Sequence, residues 1–135
     1  MLSFEQDMVE FERLFPKQMK LINGVEFTYR LAGSGEKALV LLVGGLGMSD
    51  LLYNHARRFA EDFKVLMFDY PYGYNANNEL ADGIAALIRE LNLSKAALVG
   101  QSYGGFIAQV IAFFLRYLLQ SVLQKHRRCS CSGHL

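Results

Sequence analysis

Apolar positions along this 135-residue chain repeat with two periods, and each change of period marks the edge of an element. Phe4, Met8, Phe11 and Phe15 fall at helical spacing with acids between them. That predicts a short amphipathic helix ended by Pro16. Within Lys20 to Leu31 the period drops to two, with Val25, Phe27 and Tyr29 alternating with Glu26, Thr28 and Arg30. One half-buried strand at an antiparallel edge fits that pattern. Ala32-Gly33-Ser34-Gly35 reads as a turn. Ala38 to Val43 is continuously apolar, as a strand covered on both faces should be, and Lys64 to Phe68 is a second such run, closed by Asp69. Between them lie a glycine-rich loop, Gly44 to Met48, and a helix, Leu51 to Ala60, that Ser49 or Asp50 can cap. After a loop rich in Tyr, Asn and Gly, Glu79 to Leu91 carries Leu80, Ile84, Leu87, Ile88 and Leu91 on one helical side. Ala96 to Val99 reads as the last strand, and Gly104 to about Leu123 as a helix.

Strands alternating with helices predict an α/β fold, a mostly parallel sheet with right-handed crossovers and helices on its faces. The length suits one domain with its own core. We place that domain at residues 21–115, after an N-terminal helical segment (1–20) and before an atypical basic tail (116–135). The tail stands out by charge. Arg116, Lys125, Arg127 and Arg128 lie in it without one acid, whereas acids outnumber bases up to residue 115. This charge step is too small to argue for a nucleic-acid partner, and none is expected. Cys129 and Cys131, the only cysteines, give no disulfide framework. The acidic N-terminus resembles no secretory signal, so a cytoplasmic location is expected.

Candidate chemistry concentrates in Gly100-Gln101-Ser102-Tyr103-Gly104-Gly105. These residues join an apolar strand to an apolar helix, with a serine at the tip. The pattern Gly-x-Ser-x-Gly at such a junction is a nucleophile elbow. It requires Ser102 in a sparsely allowed backbone conformation, with its hydroxyl clear of the sheet. Gly100 and Gly104 flank it where side chains would collide, and Gly105 lets the helix start close to the sheet. The helix N-terminus aims its N–H groups at the serine, so the Tyr103 N–H can hold a tetrahedral oxyanion. A second donor should come from the loop after an earlier strand, and Gly44-Gly45-Leu46-Gly47 is so placed. Phosphate-binding alternatives fail. Phe106-Ile107 stand where a P-loop needs Lys-Ser/Thr, and Gly45-x-Gly47-x-x-Asp50 lacks the third dinucleotide-binding glycine.

Residues 22 to about 115 resemble the N-terminal half of the α/β-hydrolase fold family. The segments that carry the resemblance are Leu41 to Met48, Met67 to Gly73 and Leu98 to Gly105. It implies that Ser102 is the nucleophile of a serine hydrolase acting on an ester, amide or similar acyl bond. Tyr103 and Gly45, or its neighbour Leu46, would supply the oxyanion N–H groups, and Asp69 would be a structural acid. Val43 departs from the family, which commonly has His before the oxyanion glycine.

Serine needs a positioned base, and in this fold the chain order is Ser, then Asp or Glu, then His. After Ser102 come His126 and His134 but no acid. The triad therefore looks truncated. The alternative is a non-catalytic fragment or pseudo-hydrolase acting as an interaction protein. His55 reads as solvent-facing, and Cys129, Cys131, His126 and His134 match no standard zinc spacing. No metal or other cofactor is expected. The only partner implied is a small-molecule acyl substrate. A membrane span from Phe106 to Leu123 is interrupted by Gln109, Arg116 and Gln120. With nothing beside it, the last strand would be an uncovered apolar edge, and self-association is expected.

Overall fold

Helix α1 (Phe4–Leu14) opens at Ser3, whose hydroxyl accepts the Gln6 N–H while the Gln6 side chain accepts the Ser3 N–H. This reciprocal cap satisfies two of the otherwise orphan first-turn donors. The structure, a computed structural model, describes residues 3–93 and 95–113. The basic tail and the far end of the last helix lie outside the described residues.

The alternating stretch folds as two strands instead of one. β1 (Gln18–Ile22) and β2 (Val25–Ala32) pair antiparallel around Asn23-Gly24, whose φ values are +49° and +83°. Two successive positive φ values suit a two-residue hairpin whose twist matches its strands. β1 therefore takes the edge, and β2 lies inside the sheet. Then follow β3 (Ala38–Leu42), a 3-10 turn (Ser49–Leu52), α2 (Tyr53–Phe59), β4 (Lys64–Phe68), α3 (Asn77–Glu90) and β5 (Ala97–Gly100). A last helix, α4, begins after β5 and is described over residues 103–113.

The sheet order is β1-β2-β4-β3-β5, with β3 parallel to both β4 and β5 and β2 antiparallel to β4. β3 and β4 are covered on both faces, as their unbroken apolar runs predict. Val40, Leu42, Leu66 and Phe68 face α3 and α4, packing with Ile84, Leu87, Ile88, Ile107 and Ile111. Leu41, Val43, Val65 and Met67 face the other way, toward Phe11 and Phe15 of the N-terminal segment and Ala56 of α2. The N-terminal helix thus completes one side of the core.

Arg30 is buried on β2, only 1% exposed, beneath that helix. Its two terminal nitrogens bond both carboxylate oxygens of Glu12, at 3.2 and 2.5 Å, and Nη1 also donates to the Phe15 carbonyl. The guanidinium lies 4.9 Å from the centre of the Phe11 ring. Its hydrogen bond holds the Glu12 carboxyl below the usual glutamate range, against a smaller opposing effect of desolvation. Such a depressed group contributes stability that is complete above the unfolded value, about 4.3. The contribution is lost as pH falls through the lower folded value. Amide exchange in α1, corrected for intrinsic rates, should therefore quicken between pH 6 and pH 3 ahead of exchange in α3. Glu12→Gln should shrink that difference, and a pH-independent α1 would count against the Glu12 anchor.

Candidate nucleophile elbow

Strand register brings the candidate residues together. Leu42 of β3 pairs with Gly100 of β5, so two residues further on Gly44 and Ser102 lie side by side. A Cβ added to Gly44 would sit 3.8 Å from the Ser102 Cβ, in ordinary contact. The Gln101 N–H continues the ladder by donating to the Leu42 carbonyl at 3.1 Å. Asp69 leaves the C-terminal end of β4 at the same rim. Ligands of open parallel sheets bind at this end of the strands.

Ser102 has φ of +55°, a left-handed conformation, and its side chain is exposed. For a residue with a Cβ that backbone costs roughly 1–3 kcal/mol. The turn is held from both sides. Gly104 N–H donates to the Gln101 carbonyl at 2.9 Å, and Gly105 N–H to the Ser102 carbonyl at 2.9 Å. A Cβ on Gly100 would fall 2.3 Å from the Gly104 carbonyl oxygen, and one on Gly104 would fall 2.2 Å from that of Leu42. Both positions must be glycine. Gly105 differs from the sequence expectation, because its nearest atom to an added Cβ would be 3.4 Å away. Tyr103 opens α4, where an N–H has no carbonyl within its own helix.

The facing loop is a turn closed by Gly47 N–H on the Gly44 carbonyl at 3.0 Å, with Gly45 and Leu46 at its exposed tip. Neither tip N–H has a backbone acceptor among the described residues. Tyr70 braces the loop, its hydroxyl donating to the Val43 carbonyl and its N–H to the Gly47 carbonyl at 3.0 Å. Burial, and secondarily Tyr103, push the Tyr70 hydroxyl well above its ordinary pKa, so it stays protonated as a donor. Tyr103 packs edge-on against Tyr70 at 5.9 Å and donates from its hydroxyl to Asn77 Oδ1 at 2.6 Å.

The expectation that Ser49 or Asp50 caps the next helix is corrected. Neither side chain caps α2. Ser49 is buried, and its N–H and hydroxyl both donate to Asp69 Oδ1, at 2.8 and 2.6 Å. Asp69 is occupied in holding the end of the loop. Asp50 instead meets Arg30 and Lys17. The Tyr70–Val43 and Tyr103–Asn77 hydrogen bonds carried no sequence signal, because each joins residues at least 26 apart along the chain.

His55 is exposed on α2, and His126, His134, Cys129 and Cys131 lie outside the described residues. No hydrogen bond joins the Ser102 hydroxyl to a histidine or a carboxylate among the described residues. Two clefts among the described residues lie away from the elbow, one of about 770 Å³ between α1 and α2 and one of about 840 Å³ at the N-terminal ends of the parallel strands. No helix among the described residues is long and apolar enough to cross a membrane.

Comparison with known proteins bears on this geometry. No family model matches the chain. A Haemophilus influenzae protein provisionally named an esterase/lipase is 33% identical over 92 residues, 63% of this chain and 32% of its own. The proline iminopeptidase PfmaB of Pestalotiopsis fici is 31% identical over 108 residues, 67% of this chain and 37% of its own. Among solved structures, the Vigna radiata epoxide hydrolase VrEH1 superposes with a TM-score of 0.67 at 15% identity, covering 76% of this chain and 36% of that one. A membrane phospholipase A superposes at 0.69 with 22% identity, covering 78% and 38%. The chain belongs to the α/β-hydrolase fold family. It spans about a third of the length of the curated relatives it matches. In α/β-hydrolase terms, what it carries is the hairpin, the parallel core strands, the glycine loop and the elbow.

Proposed function

We propose that Ser102 is the nucleophile of a serine hydrolase acting on an ester, amide or similar acyl bond. The observation that carries this is the strained, exposed Ser102 set against the Gly44–Gly47 turn. Tyr103 N–H and the N–H of Gly45 or Leu46 are the oxyanion donors. Esterase/lipase and iminopeptidase names among the relatives favour acyl chemistry. The described residues bring no carboxylate–histidine pair to Ser102, so full turnover draws on groups they do not include. A fluorophosphonate probe with peptide mapping tests the reading. Label at Ser102, lost in Ser102→Ala, supports it, whereas folded protein without label at Ser102 contradicts it.

A second reading, a non-catalytic chain that associates, is favoured by β5. Among the described residues this strand pairs only with β3, and Val99 on it is 41% exposed. Apolar edges recruit other strands. Sedimentation should show concentration-dependent oligomers, and a cooperatively folding monomer at all concentrations would sink this prediction.

A further inference from the structure

We propose that Arg30 is a positioning residue for the loop Gly44–Met48, coupling that loop to the docking of α1. Its relevance to oxyanion binding rests on the reading of Ser102 above. The geometry is a bridge through one nitrogen. Arg30 Nη2 lies 2.5 Å from Glu12 Oε1 on α1 and 3.2 Å from Asp50 Oδ1. Asp50 stands in the 3-10 turn that begins directly after the loop. Lys17, just beyond α1, adds a weaker hold on the other oxygen of Asp50 at 3.9 Å. Ser49, the neighbour of Asp50, is tied to Asp69. The C-terminal end of the loop is therefore pinned by β4 on one side and by the α1 attachment on the other.

Removing α1 would undo the second pin. Arg30 is buried beneath α1, and neither its Nε nor Asp50 Oδ1 has a hydrogen-bond partner among the described residues, so Arg30 holds Asp50 by charge at 3.2 Å. A buried cation is tolerated when its charge partners are in place. Once Glu12 leaves, water reaches the guanidinium and competes for Asp50. The planar fork matters, because a lysine point charge cannot bond both Glu12 oxygens and still reach Asp50.

Amide hydrogen exchange on the whole chain tests this without any activity. Glu12→Gln keeps a carbonyl acceptor for Arg30 while Asp50 keeps an opposing charge beside it, so this variant is expected to fold. We expect that variant, and Arg30→Lys, to raise exchange at Gly47, Ser49 and Leu51, the hydrogen-bonded amides of the loop and its turn, by about tenfold or more, with Ile84 to Ile88 of α3 changed by less than about twofold. Loosening of α1 with unchanged loop exchange would overturn the proposal. A rise of equal size in α3 would overturn it too, because it would mark a general loss of stability. Failure of Ser102 to react with a fluorophosphonate would leave the exchange result standing, so the two claims fail separately.

Discussion

Gly104→Ala is expected to cost about 3 kcal/mol or more of stability, enough to unfold much of the protein. Overpacking by one methyl usually costs about 1–3 kcal/mol because flexible neighbours move. Here the neighbours are main-chain carbonyls at the end of β3 and just after it. The added carbon would sit 2.2 Å from the Leu42 oxygen and 2.6 Å from the Val43 oxygen. Relief requires α4 to lift off the sheet or β3 to shift, and β3 is the central parallel strand. Gly105→Ala is the internal control. Its added carbon would meet only ordinary contact at 3.4 Å, and alanine is the better helix former by up to about 1 kcal/mol. Urea titrations of the two variants should move in opposite directions or differ by at least the cost of the clash. Equal destabilisation would mean that the elbow is not packed as described.

The second large effect is chemical. A catalytic base contributes roughly 10² to 10⁴ in rate, and none is hydrogen-bonded to Ser102 among the described residues. Imidazole in solution can enter an exposed site and take the hydroxyl proton. Phosphonylation of Ser102 should therefore rise with imidazole concentration, by about tenfold or more, with a pH dependence that follows neutral imidazole. Ser102→Ala should show no such rise at any concentration. Acceleration that persists in Ser102→Ala would place the reaction on another residue.

Much of this site was legible because its determinants are local. The apolar runs of β3 and β4, the glycine spacing around Ser102 and the loop after β3 are each written within a few residues. Strand register then joins them without further information. The hairpin was missed for a different reason. Asn23-Gly24 is itself a strong turn signal, but the apolar alternation around it reads as one strand. Arg30 could not be read as buried, because its covering helix and its partners, Glu12 and Asp50, lie 18 and 20 residues away along the chain. The same holds for Ser49. Local rules make it a helix cap, yet Asp69 offers its N–H and hydroxyl a common acceptor across the rim. Long-range partners, not propensity, decided both residues.

Site selectivity on the intact chain tests the central claim most directly. Oxyanion donors and binding together retain a rate advantage of roughly 10³ over water when a triad member is missing. Ser102 should therefore react with a fluorophosphonate well ahead of Ser34, which is also exposed but lies in the loop between β2 and β3, at the other end of the sheet. Peptide mapping after limited labelling should find Ser102 modified first and Ser34 essentially untouched. Equal labelling of the two serines, or none at Ser102 in folded protein, would contradict a poised nucleophile at the elbow.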